Sequence, residues 1–348
     1  MTSIPGFHFD SDLRDVPNNL AEWESYLLDQ QEKMKSAVND EERLSLYEMA
    51  GISSRILMKL DKAEFYLMKS LALSYKGVAQ SRILQNLIRL AHVYQWQREF
   101  KKAAGLFDQA KEIMNASEIS DSLRASYHQH LGKLFFDQKF YGLAYGDFST
   151  SYFLRQRNGA EAELLESSAI AISEALKRWN KSPAKGLVIR KAVLTDAEGI
   201  HQAHMRSIQE ICAKDYSEDA IQAWGYRPYS EEARHSAIKD SDVWVIECQG
   251  KIEGYAHMKH HFKNGWRIAH VFGLYITPQV LGRSVGKTAM QIMLECMKSR
   301  EVKEVRLEST ISAKDFYKSV GFKENGPQAF IKMSGVDVPC QPMRMEIG

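Results

Sequence analysis

A spacing of 40 to 41 residues recurs through the N-terminal half of the chain and constrains its fold more than any other feature. The small residues Gly51, Ala91 and Gly132 are each followed, at fixed distances, by alanine, then a large residue, then a small one. The matching positions are Ala63, Ala103 and Ala144, then Leu67, Phe107 and Phe148, then Ser70, Ala110 and Ser151. Small residues let two helices approach closely, while large ones fill the seam between them. The repeat therefore predicts antiparallel helix pairs that stack along the chain.

The surrounding sequence indicates a helical domain over residues 20–180. Apolar residues recur at three- and four-residue steps, and no proline occurs between Pro17 and Pro183. Three helix pairs are predicted, with a further helix before them at 20–38 and another after them at 160–179. The pattern resembles tetratricopeptide repeats, although their usual period is about 34 residues and their closing proline is missing here. A generic helical bundle is the alternative interpretation.

Breaks in the pattern divide the chain into segments. Residues 1–19 contain several turn-forming residues, such as Pro5 and Gly6, and are expected to be irregular. Residues 181–186 are mostly polar, with one proline and one glycine, and are predicted to link the helical domain to a second domain at 187–348. In that domain, alternating apolar runs around Gly250 and around Asn264-Gly265 predict two β-hairpins.

A loop with small residues follows the strand-like run Leu274–Ile276 and opens a helix. Gly282, Ser284 and Gly286 allow the backbone to turn tightly and to approach a ligand. The first N–H groups of a helix lack internal partners and lie at its positive dipole end, which suits phosphate. Taken alone, the loop is equally consistent with an ordinary strand-to-helix turn.

A second motif, T-x-x-A-x-x-F-Y-x-x-x-G-F, runs from Thr310 to Phe322. With the loop, it resembles motifs A and B of the GNAT acetyltransferase superfamily, in which Q/R-x-x-G-x-G/A wraps the pyrophosphate of acetyl-CoA. Leu281 and Ser284 depart from that pattern at its first position and its first glycine, whereas Gly286 matches. The resemblance covers about residues 187–347. It implies an α/β domain with a mixed, mostly antiparallel sheet, which follows the all-α repeat domain.

The resemblance also implies acetyl-CoA as co-substrate and assigns residues to it. They are Leu274, Tyr275, Ile276, Leu281, Gly282, Arg283, Ser284, Val285, Gly286, Lys287, Thr310, Ala313 and Phe316. In this family the strand before the loop splays from its neighbour and pairs through its backbone with the pantetheine arm. Tyr317 matches the family tyrosine that protonates the departing thiolate. Its alternative role is core packing beside Phe316.

The general base is less constrained than the acid. His270 lies on the strand where family members often carry glutamate or histidine, and imidazoles titrate near neutral pH. A lone histidine is often structural, and His257, Glu253 and a water relay compete for the role. His257 and His261 share a strand face but His260 does not, so no metal site is predicted.

Four aromatic residues mark the candidate acceptor site, between the first strand of the second domain and its hairpin. They are Tyr216, Trp224, Tyr226 and Tyr229. Acidic residues nearby, such as Asp215, suit a cationic amine. The alternative is that Trp224 and Tyr226 only anchor a helix to the sheet.

Composition argues against several other classes of protein. A net charge of +2 and the lack of a helix-turn-helix signature disfavour a nucleic-acid binder. The four cysteines are scattered, which predicts reduced thiols in a cytoplasmic protein instead of a disulfide framework or a zinc site. Neither a membrane-spanning segment nor a signal peptide is expected from the sequence.

Three functional hypotheses follow. The first is an N-acetyltransferase for a primary amine whose repeats recruit a protein or peptide, because helical-repeat surfaces commonly bind extended segments. The second is a small-amine acetyltransferase whose repeats mediate self-association or regulation. The third is a non-catalytic scaffold that senses acyl-CoA. The presence of Tyr317 and of the small-residue loop favours the two enzymes.

Overall fold

The structure, a computed structural model, describes residues 4–77, 79–179, 186–263 and 265–347. Contacts divide the chain into two compact units, the first formed by residues 1–144 and 151–175, the second by residues 145–150 and 176–348. Apart from Gly186, the predicted linker lies outside the described residues. The domain boundaries therefore stay a prediction.

The N-terminal half is helical, as the repeat spacing predicts. Its helices in chain order are α1 (Leu20–Ser36), α2 (Asp40–Ile56), α3 (Leu60–Ser74), α4 (Gln80–Trp96), α5 (Phe100–Ala116), α6 (Asp121–Asp137), α7 (Tyr141–Arg157) and α8 (Ala162–Trp179). The side chains of Asn19, Asn39 and Ser120 cap α1, α2 and α6 by accepting hydrogen bonds from first-turn N–H groups. The repeat pairs are α2 with α3, α4 with α5, and α6 with α7.

The first helix of each pair ends in the same turn. Met58, Arg98 and Lys139 have left-handed φ angles of 58°, 63° and 65°, and they recur at the spacing of the sequence repeat. After each of them, a backbone N–H bonds a carbonyl in the last turn of the helix, as Lys59 does to Ser54 at 2.8 Å. This bond satisfies a carbonyl that the helix end leaves without a partner. The repeat therefore sets the turn as well as the helices.

Small repeat positions bring the paired helices together. A Cβ added at Gly51 in α2 would lie 2.5 Å from Cγ of Leu67 in α3, so this contact requires glycine. In the next pair, Ala91 and Ala103 are fully buried in one apolar cluster with Phe107. The repeat pattern thus marks the contact between helices, while the specific likeness to tetratricopeptide repeats stays a prediction.

Residues 7–17 form a β-hairpin, which corrects the expectation of an irregular segment at 1–19. Strand β1 (Phe7–Phe9) pairs antiparallel with β2 (Asp15–Pro17). The Asp10 carboxylate closes the turn by accepting two backbone N–H groups at 2.8 and 2.9 Å. Pro17 ends the second strand, and a two-stranded edge tolerates its missing N–H.

A mixed sheet with covering helices makes up the second half of the chain, as the resemblance implies. Its elements are β3 (Leu187–Lys191), α9 (Ala197–Glu210), α10 (Glu218–Gly225), α11 (Glu231–Asp240), β4 (Asp242–Cys248), β5 (Lys251–Lys263), β6 (Trp266–Ile276), α12 (Val285–Ser299), β7 (Glu304–Ser309), α13 (Lys314–Ser319), β8 (Lys323–Glu324), β9 (Ala329–Met333) and β10 (Val336–Glu346). The strand order is β3-β4-β5-β6-β7-β10-β8, and β9 pairs with β10. Only β6 and β7 run parallel among the described strand pairs. Of the predicted turn between β5 and β6, Asn264 lies outside the described residues.

Strands β6 and β7 separate after a short parallel pairing. They pair from Ile268 with Glu304 to Val271 with Leu307. Beyond that point, β6 remains bonded to β5 as far as Ile276. Within the described residues, the other edge of β6 over 272–276 has no strand partner, so the sheet opens between β6 and β7.

Candidate active site

A cavity of about 380 Å³ is lined by the separating ends of β6 and β7 and by the first turn of α12. Most residues assigned to acetyl-CoA from the sequence line it. These are Leu274, Tyr275, Ile276, Leu281, Gly282, Ser284, Val285, Gly286, Lys287, Thr310, Ala313 and Phe316, with the catalytic candidate Tyr317. Arg283 is not in the cavity wall, since its guanidinium contacts Cys248 Sγ at 3.7 Å.

The loop before α12 depends on two left-handed residues. Gly282 and Ser284 have φ angles of 78° and 58°. Serine at such an angle costs roughly 1–2 kcal/mol, whereas glycine adopts it freely. Ser284 nevertheless takes the conformation that glycine would favour, so the departure from the family pattern at this position does not prevent the turn.

The first turn of α12 presents backbone donors to the cavity. Ser284 is the N-cap residue, but among the described residues its side chain makes no capping hydrogen bond. Val285, Gly286 and Lys287 all line the cavity, and N–H groups at this end of a helix lack intrahelical acceptors. With the helix dipole and the Lys287 ammonium, they make this wall suitable for phosphate.

Gly286 is needed for packing as well as for ligand approach. A Cβ at this position would lie 3.0 Å from Cδ1 of Ile276 and 3.4 Å from the ring of Phe316. A side chain at residue 286 would therefore push α12 away from the end of β6 and from α13. The glycine lets these three elements meet at the base of the cavity.

Tyr317 is buried and its ring packs against Phe316 and Phe322, at centroid distances of 5.2 and 5.6 Å. Burial raises the pKa of the Tyr317 hydroxyl above its ordinary value, so the hydroxyl keeps its proton at neutral pH. Among the described residues this hydroxyl has no hydrogen-bond partner. It is therefore a protonated donor on the cavity wall, in addition to a packing residue.

His270 lies beside the cavity and reaches it through Glu308. The imidazole Nε2 is 2.8 Å from Glu308 Oε2, and Glu308 lines the cavity. The hydrogen bond from His270 lowers the pKa of Glu308 below its usual value, although burial opposes this. Glu308 was missed from the sequence. The available signal was the position of this carboxylate, two residues before Thr310 at the end of a strand.

The competing bases are held away from the cavity wall. Burial and the charge of Arg234 lower the pKa of His257 to about 4, and His257 Nε2 lies 2.8 Å from Ser241 Oγ. Burial alone would raise the pKa of Glu253, but the Thr277 hydroxyl and neighbouring cations lower it. Neither His257 nor Glu253 lines the cavity.

The comparison with known families agrees with this geometry. The family model described as Acetyltransferase (GNAT) domain matches residues 212–347. This part of the chain is a GNAT acetyltransferase domain. The match supports acetyl transfer from acetyl-CoA as its activity. It begins after β3 and α9, so it is shorter than the 187–347 implied by the sequence resemblance.

Solved structures similar to this GNAT domain include three N-acetyltransferases. A GCN5-related N-acetyltransferase from Rhodopseudomonas palustris is 21% identical, with 48% of this chain and 97% of that chain covered and a TM-score of 0.41. PaiA N-acetyltransferase from Thermoplasma acidophilum, in complex with coenzyme A, is 23% identical. The match covers 46% of this chain and 99% of that chain, with a TM-score of 0.39. The ribosomal-protein-S18-alanine N-acetyltransferase from Escherichia coli is 17% identical. The match covers 47% of this chain and 94% of that chain, with a TM-score of 0.36. No curated protein matches the chain.

The four aromatic residues predicted for the acceptor lie outside the cavity wall of the GNAT domain. Trp224 is buried and packs edge-on against Tyr216 and Tyr275. The Tyr216 hydroxyl accepts one backbone hydrogen bond and donates another. These contacts give Tyr216 and Trp224 a packing role, whereas Tyr226 and Tyr229 are exposed. Contact with the acceptor stays a prediction for all four.

The end of α9 and the turn that follows it supply cavity residues that sequence reasoning did not identify. Ser207, Ile211 and Cys212 line the cavity, and the Ser207 hydroxyl donates to the Ile276 carbonyl at 3.0 Å. Burial raises the pKa of the Cys212 thiol to about 11, so the thiol stays protonated at neutral pH. No local pattern marks these residues, because α9 meets the cavity only through tertiary packing.

In the described part of the chain, no group of three histidine, cysteine, aspartate or glutamate side chains is arranged to hold a metal ion. None of the helices in the same residues combines the length and apolar character needed to cross a bilayer.

Proposed function

We propose that this protein transfers the acetyl group of acetyl-CoA directly to a primary amine. The opening between β6 and β7 carries the proposal, because one cavity there combines an unpaired strand edge, a helix N-terminus and the Tyr317 hydroxyl. The GNAT family match supports the same reaction class. The alternatives are a small-amine acetyltransferase with self-associating or regulatory repeats, and a non-catalytic acyl-CoA sensor.

The cavity residues suit the parts of acetyl-CoA. The pyrophosphate would be held by the N–H groups at the start of α12 and by Lys287. The strand edge over 272–276 offers backbone donors and acceptors to the amide groups of the pantetheine arm. Acetyl-CoA supplies an activated acyl group as a thioester. All further steps rely on residues of the chain.

Each candidate residue then has a distinct role. A backbone N–H near Leu274 polarises the thioester carbonyl, in the manner of an oxyanion hole. Tyr317 donates its proton to the departing thiolate. His270, oriented by Glu308, accepts the amine proton, directly or through a water molecule. This division of roles explains why a protonated phenol and an ionised carboxylate lie on one cavity wall.

The test is a screen of amines and peptides for release of free thiol from acetyl-CoA, with product masses measured. An acceptor that gains 42 Da, roughly the mass of an acetyl group in place of a proton, would support N-acetyl transfer. Tight binding of acetyl-CoA without thiol release in the presence of any acceptor would favour the sensor.

We also propose that the helical region recruits a protein or peptide partner. The stacked helix pairs support this role, since such stacks offer extended surfaces. The cytoplasmic location is likewise proposed and rests on the scattered cysteines of the sequence.

A further inference from the structure

The N-terminal hairpin packs against the first helices of the repeat pairs. Leu13, at its turn, is almost fully buried, and Asp15 is 6% exposed. The hairpin also contacts α1, where the Trp23 indole N–H donates to the Gly6 carbonyl at 3.0 Å. A short hairpin thus covers a surface that belongs to the repeats.

A buried carboxylate is the central contact of the hairpin. Asp15 Oδ2 lies 2.6 Å from Nη2 of Arg55 in α2, and Oδ1 lies 3.1 Å from Nζ of Lys133 in α6. Both cations are at least nine-tenths buried. Two cations from different repeats therefore enclose one carboxylate.

Further ion pairs and cation–aromatic contacts hold the hairpin next to Asp15. Arg14 Nη2 lies 2.6 Å from Asp137 Oδ2 at the end of α6. The guanidinium groups of Arg14 and Arg55 lie 5.1 and 4.6 Å from the Trp96 ring centroid, so both cations stack on one aromatic side chain. The site thus combines aromatic and charged groups, as peptide-binding surfaces often do.

Two residues that contact Arg14 of the hairpin occupy equivalent positions in successive repeats. Trp96 in α4 corresponds to Asp137 in α6 by the 41-residue spacing. Equivalent positions in stacked repeats line one continuous face. The hairpin therefore lies on the face that the repeat architecture itself generates.

The hairpin leaves polar groups of this face unsatisfied. Within the described residues, Nη1 of Arg55, Oε1 of Gln95 and Nδ1 of His130 are buried without hydrogen-bond partners. Unsatisfied buried polar groups are rare and each carries a free-energy cost. Their concentration here indicates that the face offers more hydrogen bonds than the hairpin uses.

We propose that this face binds extended acidic peptides and that the N-terminal hairpin occupies it as a tethered competitor. The hairpin resembles the proposed partner because it is an extended strand whose carboxylate, that of Asp15, lies between two cations of the face. A short two-stranded hairpin opens more readily than the helices it covers. A partner peptide with a matching carboxylate can then take its place. The proposal depends on the recruitment role of the repeats but not on acetyl transfer.

The test uses the full-length chain and a fluorescent peptide with the sequence of residues 4–19, in the absence of acetyl-CoA. Asp15→Asn removes the charge that holds the tethered hairpin and preserves the side-chain shape. This variant should bind the peptide at least tenfold more tightly than the wild-type chain. Asp12→Asn, at an exposed position of the same turn, should behave as wild type. A peptide that carries Asn at residue 15 should bind the Asp15→Asn chain at least tenfold more weakly.

Folding of each variant is checked by circular dichroism, and hydrogen exchange of the wild-type chain gives an independent measurement. The amides of residues 7–17 should exchange faster than those of α2, α4 and α6. Failure of the folded Asp15→Asn chain to bind the peptide would overturn the proposal. Hairpin exchange only through global unfolding would also overturn it. Neither result bears on acetyl transfer, which the thiol-release screen tests separately.

Discussion

His270 on β6 and Glu308 on β7 are joined by a 2.8 Å contact between Nε2 and Oε2. The last paired residues of the two strands are Val271 and Leu307, so this contact lies where the strands separate. It brings an ionised carboxylate to the cavity wall and fixes the orientation of the imidazole. The proposed proton acceptor and the opening of the sheet thus lie together.

Glu308→Gln should slow turnover if this pair accepts the amine proton. We expect a fall of about 10²–10⁴-fold in kcat, the usual contribution of a positioned base, with little change in acetyl-CoA affinity. The matched control is Glu304→Gln on the same strand, outside the cavity wall. Steady-state kinetics with the acceptor found in the thiol-release screen would measure the rates of both variants. Equal rates for both variants and wild type would favour a water relay or another base.

Tyr317→Phe keeps the ring and its packing but removes the hydroxyl. Turnover should fall by about 10²–10⁴-fold if the hydroxyl protonates the thiolate. Acetyl-CoA affinity should barely change, because the lost interaction belongs mainly to the transition state. Kinetics and titration calorimetry separate the two effects. Unchanged turnover would reduce Tyr317 to a packing residue, and lost affinity would mean that its hydroxyl binds the ground state.

Asp15 should make the stability of the chain depend on pH. Burial alone would raise its pKa, but Lys133 and Arg55 lower it below the ordinary value. A lowered native pKa stabilises the folded state fully above the unfolded pKa of about 3.9, and this contribution is lost as the pH falls below it. The free energy of unfolding of the wild-type chain should therefore exceed that of the Asp15→Asn variant by about 1–3 kcal/mol at pH 7. Urea unfolding at pH 7, 5 and 3 should show this difference shrinking only at the lowest pH, and a difference that does not change with pH would contradict it.

Residues 187–348 alone should fold and bind acetyl-CoA, because they contain every strand of the mixed sheet and the cavity residues. Circular dichroism and calorimetry of this fragment test the predicted boundary. Residues 145–150 group with the second compact unit. An unfolded fragment would therefore show that the boundary at residue 187 is misplaced.

The sequence predicted features that local patterns encode. The spacing of Gly51, Ala91 and Gly132 marked the helix pairs, and the loop around Gly282 marked the start of α12. Both rely on steric rules that small residues satisfy, namely close contact between helices that adjoin in the chain and left-handed turns. The mixed, mostly antiparallel sheet followed from the family resemblance.

Features that depend on distant contacts were missed. Asp15 is buried between Arg55 and Lys133, and Lys133 lies 118 residues later in the chain. Without these contacts in view, Pro5 and Gly6 suggested an irregular segment instead of a hairpin. Glu308 acquires its role from a partner on another strand, and Cys212 reaches the cavity through the packing of α9. No periodicity in the sequence reports such pairings.

The most direct test of the account is titration of acetyl-CoA into the full-length chain and into two charge-reversal variants of α12. Lys287→Glu places a negative charge at the helix start beside the cavity, while Lys298→Glu makes the same change in its last turn. Both positions are exposed, so neither change should unfold the domain. We predict that Lys287→Glu weakens acetyl-CoA binding at least about tenfold, or 1.4 kcal/mol, and that Lys298→Glu binds as wild type. Equal affinity in all three proteins, or no binding to the wild type, would contradict the assignment of this cavity to acetyl-CoA.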